Sequence, residues 1–289
     1  MSEKLSNPQK TIEVIRKYGF DFKKQFGQNF LIDEHVLQKI ISAAEITKED
    51  YVVEVGPGIG TLTQVLAEAA GHVCAVEIDR RLIPVLQETL QEYENVTVLN
   101  QDILKTDLNL LAQENNGGRP IKVVANLPYY ITTPIIMNLF EQHVPLDSIT
   151  VMVQKEVAER MQASPGSKDY GALTLAVQYY AEPWYAATVP VNCFIPRPNV
   201  TSAVIRLKRH AVPPVSPRDE QWMFRVIRAA FGQRIKTLVN ALQGAPETRC
   251  EKDRTLAALA QMGLDPRVRG EVLTLEQFAA LSDLLQETE

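Results

Sequence analysis

The order of apolar and polar positions takes on a regular rhythm near residue 50, where short β-branched runs start to alternate with longer stretches of helical spacing. YVVEVG (51–56), HVCAVEID (72–79), NVTVLNQD (95–102), IKVVANLPYY (121–130) and SITVMVQK (148–155) read as strands. TLTQVLAEAA (61–70), RRLIPVLQETL (80–90) and ITTPIIMNLFEQ (131–142) read as helices between them. Strands that alternate with helices in this way predict an α/β fold, a parallel sheet covered on both faces. GALTLAVQYYAEPWYAATVP (171–190) adds a helix and a strand, and NVTSAVIRLKRH (199–210) a closing, antiparallel strand.

The proline-rich HAVPPVSPRDE (210–220) reads as a linker. Only helical patterns follow, in QWMFRVIRAAFGQRIKTLVNAL (221–242), TRCEKDRTLAALAQMG (248–263) and TLEQFAALSDLLQE (274–287). Two domains are therefore predicted, 1–210 and a small all-α domain at 211–289. QENNGGRP (113–120) reads as a surface loop, and ASPGSKDYG (163–171) as a loop long enough to move.

The chemistry concentrates at the predicted carboxyl ends of the strands. Gly56, Gly58 and Gly60 form a turn between the first strand and its helix, where missing side chains let a ligand approach the backbone. Glu77 ends the next strand 21 residues after Gly56 and suits both hydroxyls of a ribose. These two features also fit a dinucleotide enzyme. The G-x-G-x-G spacing, however, lacks the third glycine of the pyrophosphate turn, with Thr61 at that place. A further acid, Asp102, follows the third strand, where it could accept from an adenine amino group or simply cap the next helix. An acid for the ribose, an acid for the base and no strict pyrophosphate turn favour S-adenosylmethionine over NAD.

The fourth strand ends in N-L-P-Y. Transfer of a methyl group to adenine N6 needs acceptors that pull the planar amine toward tetrahedral geometry. The Asn126 side chain and the Leu127 carbonyl can supply two, with Pro128 fixing the carbonyl's direction. Tyr129 can stack on an extruded base. A proline turn with tyrosines packed on the sheet is the bland alternative.

Composition sets few limits: 45% hydrophobic and 22% charged residues are ordinary for a globular protein. The formal charge of −5 does not suggest nucleic acid, but charge placement does. Residues 1–24 hold six Lys/Arg against three acids, and residues 222–240 hold Arg225, Arg228, Arg234 and Lys236 with no acid. Cys74, Cys193 and Cys250 are widely spaced and read as reduced thiols of a cytoplasmic protein. Four scattered histidines suggest no metal site, and no apolar run is long enough for a membrane span.

The chain resembles the ribosomal RNA adenine N6,N6-dimethyltransferases that modify small-subunit (16S) rRNA, over nearly its whole length. The resemblance rests on KKQFGQNFLID (23–33), VVEVGPGIGTLT (52–63), VEIDRRL (76–82), the acid in NQDILK (100–105) and NLPYYITTPII (126–136). MVQKEVAERM (152–161), CFIPRPNVTSAV (193–204) and AFGQRIKTLVNAL (230–242) extend it. It implies a Rossmann-like class I S-adenosylmethionine-dependent methyltransferase domain with an N-terminal lid segment (1–45) and a small helical domain that touches rRNA. It implies cofactor contacts from Asn29, Leu31, Gly56, Glu77, Asp102 and Asn126, and target-adenine contacts from Asn126, Leu127 and Tyr129. Phe194 resembles the aromatic that stacks on the base's other face. The substrate implied is two adjacent adenines near the 3′ end of 16S rRNA, within the 30S subunit or its precursor, methylated by a monomeric enzyme. Gly232 and Ile235 stand where the family pattern has serine and arginine, which bears on how the small domain touches RNA. A large-subunit (23S) dimethylase, a DNA adenine methyltransferase and a non-enzymatic assembly factor are the competing readings.

Overall fold

The computed structural model describes residues 4–19, 29–128, 130–233 and 235–286. Lys23, Lys24, most of KKQFGQNFLID, Tyr129 and Arg234 lie outside the described residues. Within them the chain forms two units, one of residues 4–158 with 183–209 and the other of residues 159–182 with 210–286.

The first unit is built on a sheet. Helix α1 (Pro8–Lys17), the short strand β1 (Phe30–Leu31) and helix α2 (Glu34–Ala44) precede it. Strands β2 (Tyr51–Val55), β3 (His72–Glu77), β4 (Val96–Asn100), β5 (Ile121–Asn126) and β6 (Leu146–Gln154) then alternate with helices. These are α3 (Thr61–Ala69), α4 (Ile83–Thr89), α5 (Leu108–Asn116) and α6 (Thr132–Glu141). α7 (Lys155–Met161) and α8 (Ala172–Tyr180) lead to β7 (Ala181–Val189), β8 (Phe194–Ile195) and β9 (Ser202–Arg209). The sheet order is β4-β3-β2-β5-β6-β9-β7. β2 to β6 run parallel and β9 runs antiparallel to β6, as the sequence predicts. The central strands are buried on both faces, which is why VVEV and IKVVA carry almost no polar alternation.

The strand order turns at β2, whose neighbours are β3 on one side and β5 on the other. A crevice opens at the carboxyl ends of the strands at such a switch point. α1 backs this region: Leu5 and Val14 cluster with Ile59, Leu82 and Val85, and Tyr18 and Phe30 pack against them. Ile59 is fully buried inside the glycine turn, a side chain worth about 1.5–3 kcal/mol of apolar burial. The Lys17–Glu88 ion pair at 2.6 Å and the Leu5 N–H bond to Gln64 Oε1 at 3.1 Å fasten the same segment.

The 113–120 stretch differs from the loop expected of it. Residues 113–116 finish α5, which begins at an Asp107 cap accepting from Leu110 N–H and ends at Gly117 in the left-handed region.

In the second unit, α9 (Glu220–Gly232), α10 (Leu238–Gly244), α11 (Lys252–Gln261) and α12 (Leu275–Leu285) follow one another. The single helical pattern at 221–242 is thus split, with α9 ending at Gly232 and a new helix starting after Thr237 in extended conformation. α8 belongs with these helices and not with the sheet. Its Tyr179 and Tyr180 hydroxyls both donate to the Glu220 carboxylate, and both rings pack against Phe224. The 163–171 loop is tethered inside the same unit by Gly166 N–H to Glu271 O at 2.7 Å and Tyr170 Oη to Leu273 O at 2.7 Å.

Candidate active site

A pocket opens at the switch point, in the first unit. Its walls are the ends of β2 (Glu54, Val55), the turn that follows (Gly56, Gly58), the end of β3 (Glu77, with Ile78 after it), Asp102 after β4 and Asn126–Pro128 after β5. Asn29, Phe30 and Leu31 form another wall.

The glycine turn needs its glycines. Gly56 and Gly58 have φ of 67° and 62°, in the left-handed region that costs other residues about 1–2 kcal/mol. A Cβ on Gly58 would also stand 3.3 Å from the Phe30 ring.

Three carboxyls face the pocket, and no Lys, Arg or His is among its lining residues. Glu77 Oε1 accepts Asp79 N–H at 2.8 Å and Oε2 accepts Gly58 N–H at 3.2 Å. Burial pushes this carboxyl up, against the pull of those two backbone donors. Each oxygen keeps lone-pair capacity for a ligand hydroxyl. Asp102 Oδ1 accepts Leu104 N–H at 3.0 Å, so it does cap the short helical turn at 103–105. It lines the pocket as well, so the cap does not remove it from the site.

Glu54 was not foreseen as a site residue. It is 1% exposed near the carboxyl end of β2, and its Oε2 has no hydrogen-bond partner among the described residues. Burial, with Glu77 adding like charge, pushes its pKa up to about 8. An acid inside an otherwise apolar strand was the available signal, since a charge is almost never fully buried without a partner.

The structure therefore brings together Asn29, Leu31, Gly56, Glu77, Asp102, Asn126, Leu127 and Pro128 around one cavity. Tyr129 lies outside the described residues. Phe194 differs from expectation. It is 2% exposed, packs in the core with Leu31, Met152 and Val204, and is not on the pocket wall. Here it is held in β8, opposite Leu31 of β1, and its proposed part as a stacking face stays an expectation. Among the described residues the aromatics that do line the pocket are Phe30 and Tyr130, the latter 66% exposed.

The fold and this cavity define a Rossmann-like, class I S-adenosylmethionine-dependent methyltransferase. The chain is similar to the crystal structure of a dimethyladenosine transferase from Plasmodium falciparum, with a TM-score of 0.71 and 26% identity, covering 87% of this chain and 95% of that one. It is also similar to the 23S rRNA methyltransferase ErmE, with a TM-score of 0.66 and 28% identity over 89% of this chain and 99% of that one.

The chain belongs to the ribosomal RNA adenine dimethylase family, whose sequence profile matches residues 19–287. Among its relatives is the ribosomal RNA small subunit methyltransferase A of Lachnoclostridium phytofermentans, 62% identical with 98% of both chains covered. The protein of the same description from Geobacillus sp. (strain WCH70) is 50% identical with 99% of both chains covered. The enzyme is an S-adenosylmethionine-dependent rRNA adenine dimethyltransferase.

The residues present fit that cofactor. A ligand carrying a sulfonium and an ammonium group suits a cavity with three carboxyls and no basic side chain, one of those carboxyls holding an unpartnered buried oxygen. The glycine cradle that a Cβ at position 58 would crowd leaves room for the ligand against the backbone.

Proposed function

We propose that the enzyme methylates N6 of two adjacent adenines near the 3′ end of 16S rRNA, two methyl groups each, in the small ribosomal subunit or its precursor. The observation that carries the reading is the position of Asn126, Leu127 and Pro128 at the end of β5, on the wall of the pocket that Glu77 and Asp102 line. The names of the relatives, small-subunit methyltransferases at 62% and 50% identity, favour the small subunit as substrate.

S-adenosylmethionine supplies an electrophilic methyl group when bound. Glu77 would hold its ribose, Asp102 its adenine, and Asn29, Leu31 and the Gly56 turn its methionine end. Asn126 Oδ1 and the Leu127 carbonyl accept the two N6–H groups of the target adenine and direct the nitrogen lone pair toward the methyl group. The neighbouring Pro128 carbonyl is already taken by Ile131 N–H at 3.1 Å and the Thr132 hydroxyl at 3.3 Å. Tyr129, the last residue of N-L-P-Y, would stack on the base. Positioning of this kind supplies much of the rate, and no histidine base is needed because the methylated nitrogen sheds its proton to water.

Arg225 and Arg228 on α9 and Lys236 beyond it are exposed and would meet rRNA phosphates, giving the small helical domain its role. The reading extends to a monomeric enzyme of the cytoplasm, where the free thiols Cys74, Cys193 and Cys250 stay reduced.

The test is methyl incorporation from labelled S-adenosylmethionine into undermethylated small subunits, large subunits and adenine-containing duplex DNA, with the labelled base identified by mass. Dimethyladenine in small subunits alone is expected. Label in large subunits or in DNA alone would overturn the substrate assignment. Tight small-subunit binding with no label would leave only an assembly role.

A further inference from the structure

Asn126 makes a hydrogen bond away from the reaction it is proposed to serve. Its Nδ2 donates to the backbone carbonyl of Asn29 at 3.1 Å. A carbonyl oxygen can only accept, so this contact decides which end of the amide faces where. The nitrogen is committed to Asn29, and Oδ1 is left as the acceptor. In the opposite orientation the side chain would offer N–H groups to an amine that itself needs acceptors, and the pair would lose a hydrogen bond on both sides.

The Asn29 carbonyl is held in place by a two-stranded ribbon. β1 pairs antiparallel with β8, Phe30 opposite Ile195 and Leu31 opposite Phe194. Ile32 N–H extends the ribbon to Cys193 O at 2.9 Å. Leu31, Cys193 and Phe194 are buried in the same core cluster as Met152 of β6, and Met152 is the partner of Asn126 across the sheet. The ribbon and the end of β5 therefore rest on common packing. Phe30, on the same ribbon, lies against the glycine turn.

We propose that the backbone carbonyl of Asn29, fixed by the β1–β8 ribbon, is a positioning group for methyl transfer: it orients the Asn126 amide so that Oδ1 faces the target amine. The segment that walls the cofactor pocket and the acceptor for the substrate then act as one preassembled unit. This inference rests on Asn126 being the acceptor for N6, as proposed above.

Asn126→Asp separates the two statements. A carboxylate is at least as good an acceptor for N6–H, but it cannot donate to Asn29 O. A protonated carboxyl can, and it then presents its other oxygen as the amide does. The ionisable side chains that line the pocket with position 126, among the described residues, are Glu54 on β2, Glu77 on β3 and Asp102 after β4, while Asn29 before β1, Met152 on β6, and Ile131 and Ile135 beyond the motif are neutral. Desolvation beside these acids raises the pKa of an aspartate placed there.

Single-turnover methylation at saturating cofactor and RNA is measured for this variant as a ratio to the native enzyme at each pH, which cancels titration of the shared acids. The ratio is expected to be about one-tenth or less near pH 8, a tenfold loss being about 1.4 kcal/mol, and to climb several-fold toward pH 6. A second readout needs no activity: in the ligand-free protein, the Asn126 side-chain amide protons should exchange at least about tenfold more slowly than exposed side-chain amides. An Asn126→Asp enzyme as fast as the native one at pH 8, or unprotected Asn126 amide protons, would overturn the proposal. Full methylation by Asn126→Ala would instead overturn the functional reading beneath it.

Discussion

Glu77 Oε2 accepts the backbone N–H of Gly58 at 3.2 Å, and so ties the end of β3 to the glycine turn that follows β2. The acid proposed to hold the ribose also holds the shape of the turn beside it. Charge-assisted bonds of this type are worth about 1.5–3 kcal/mol, so Glu77→Gln should weaken S-adenosylmethionine binding about tenfold to a hundredfold. Calorimetric titration measures this directly, and a change of less than twofold would remove Glu77 from the cofactor site.

Gly58→Ala adds a Cβ to a residue at φ 62° and 3.3 Å from the Phe30 ring. The strain alone is about 1–2 kcal/mol. Ligand-free protein should melt a few degrees lower, and cofactor should raise the melting temperature less than it does for the native chain. Thermal melts with and without S-adenosylmethionine provide both numbers.

Glu54 gives a pH dependence whose sign is fixed. Its pKa is raised from 4.5 to about 8, so the proton it keeps in the folded state favours folding at acid pH. That contribution fades as pH rises from about 4.5 through about 8. Glu54→Gln removes the titration. The melting temperature of this variant relative to the native chain, both ligand-free, should therefore rise steadily between pH 5 and pH 9. A flat difference across that range would mean that Glu54 is not a buried acid in the free enzyme.

Phe194 distinguishes a core position from a stacking face. As a core side chain it tolerates Phe194→Leu with less than about tenfold loss of methyl transfer, while Phe194→Ala lowers stability by about 3–5 kcal/mol through the cavity it leaves. A stacking partner for the base would lose about 1–3 kcal/mol of substrate binding in both variants alike. Denaturant melts and the RNA concentration dependence of the rate, measured on the two variants together, decide between these patterns.

Arg228 and Lys236 are exposed in a segment without acids. Removing both charges should lower the slope of log affinity against log salt by roughly 1.5, close to one unit per lost phosphate contact. An unchanged slope for small-subunit binding would take this face out of the RNA footprint.

The sheet and the cavity were legible in the chain for a physical reason: strands buried on both faces must be continuously apolar, so Asn126, Glu77 and Asp102 stood out as polar groups at their ends. The acid at 54 was equally visible but carried no signal of direction, because whether a buried strand residue faces a cavity or a helix depends on packing. The burial of Phe194 was not legible, since a two-residue ribbon leaves no periodicity to read, and the pairing of Leu31 with Phe194 joins segments more than 160 residues apart. Tyr129 remains an expectation drawn from N-L-P-Y. The split of the 221–242 helix was foreshadowed only by Gly232.

The passage of residues 159–182 into the second unit gives the chain three crossings between units, at 158/159, 182/183 and 209/210. A polypeptide laid out in this way cannot be divided with one cut. A chain stopped after residue 210 would retain Tyr170, Tyr179 and Tyr180 but lose Leu273, Glu220 and Phe224, the groups that satisfy or cover them. Exchange of the helical unit between relatives would have to move two separate stretches of gene in concert. Inheritance of the helical part is in this sense bound to that of the sheet with which it shares its chain.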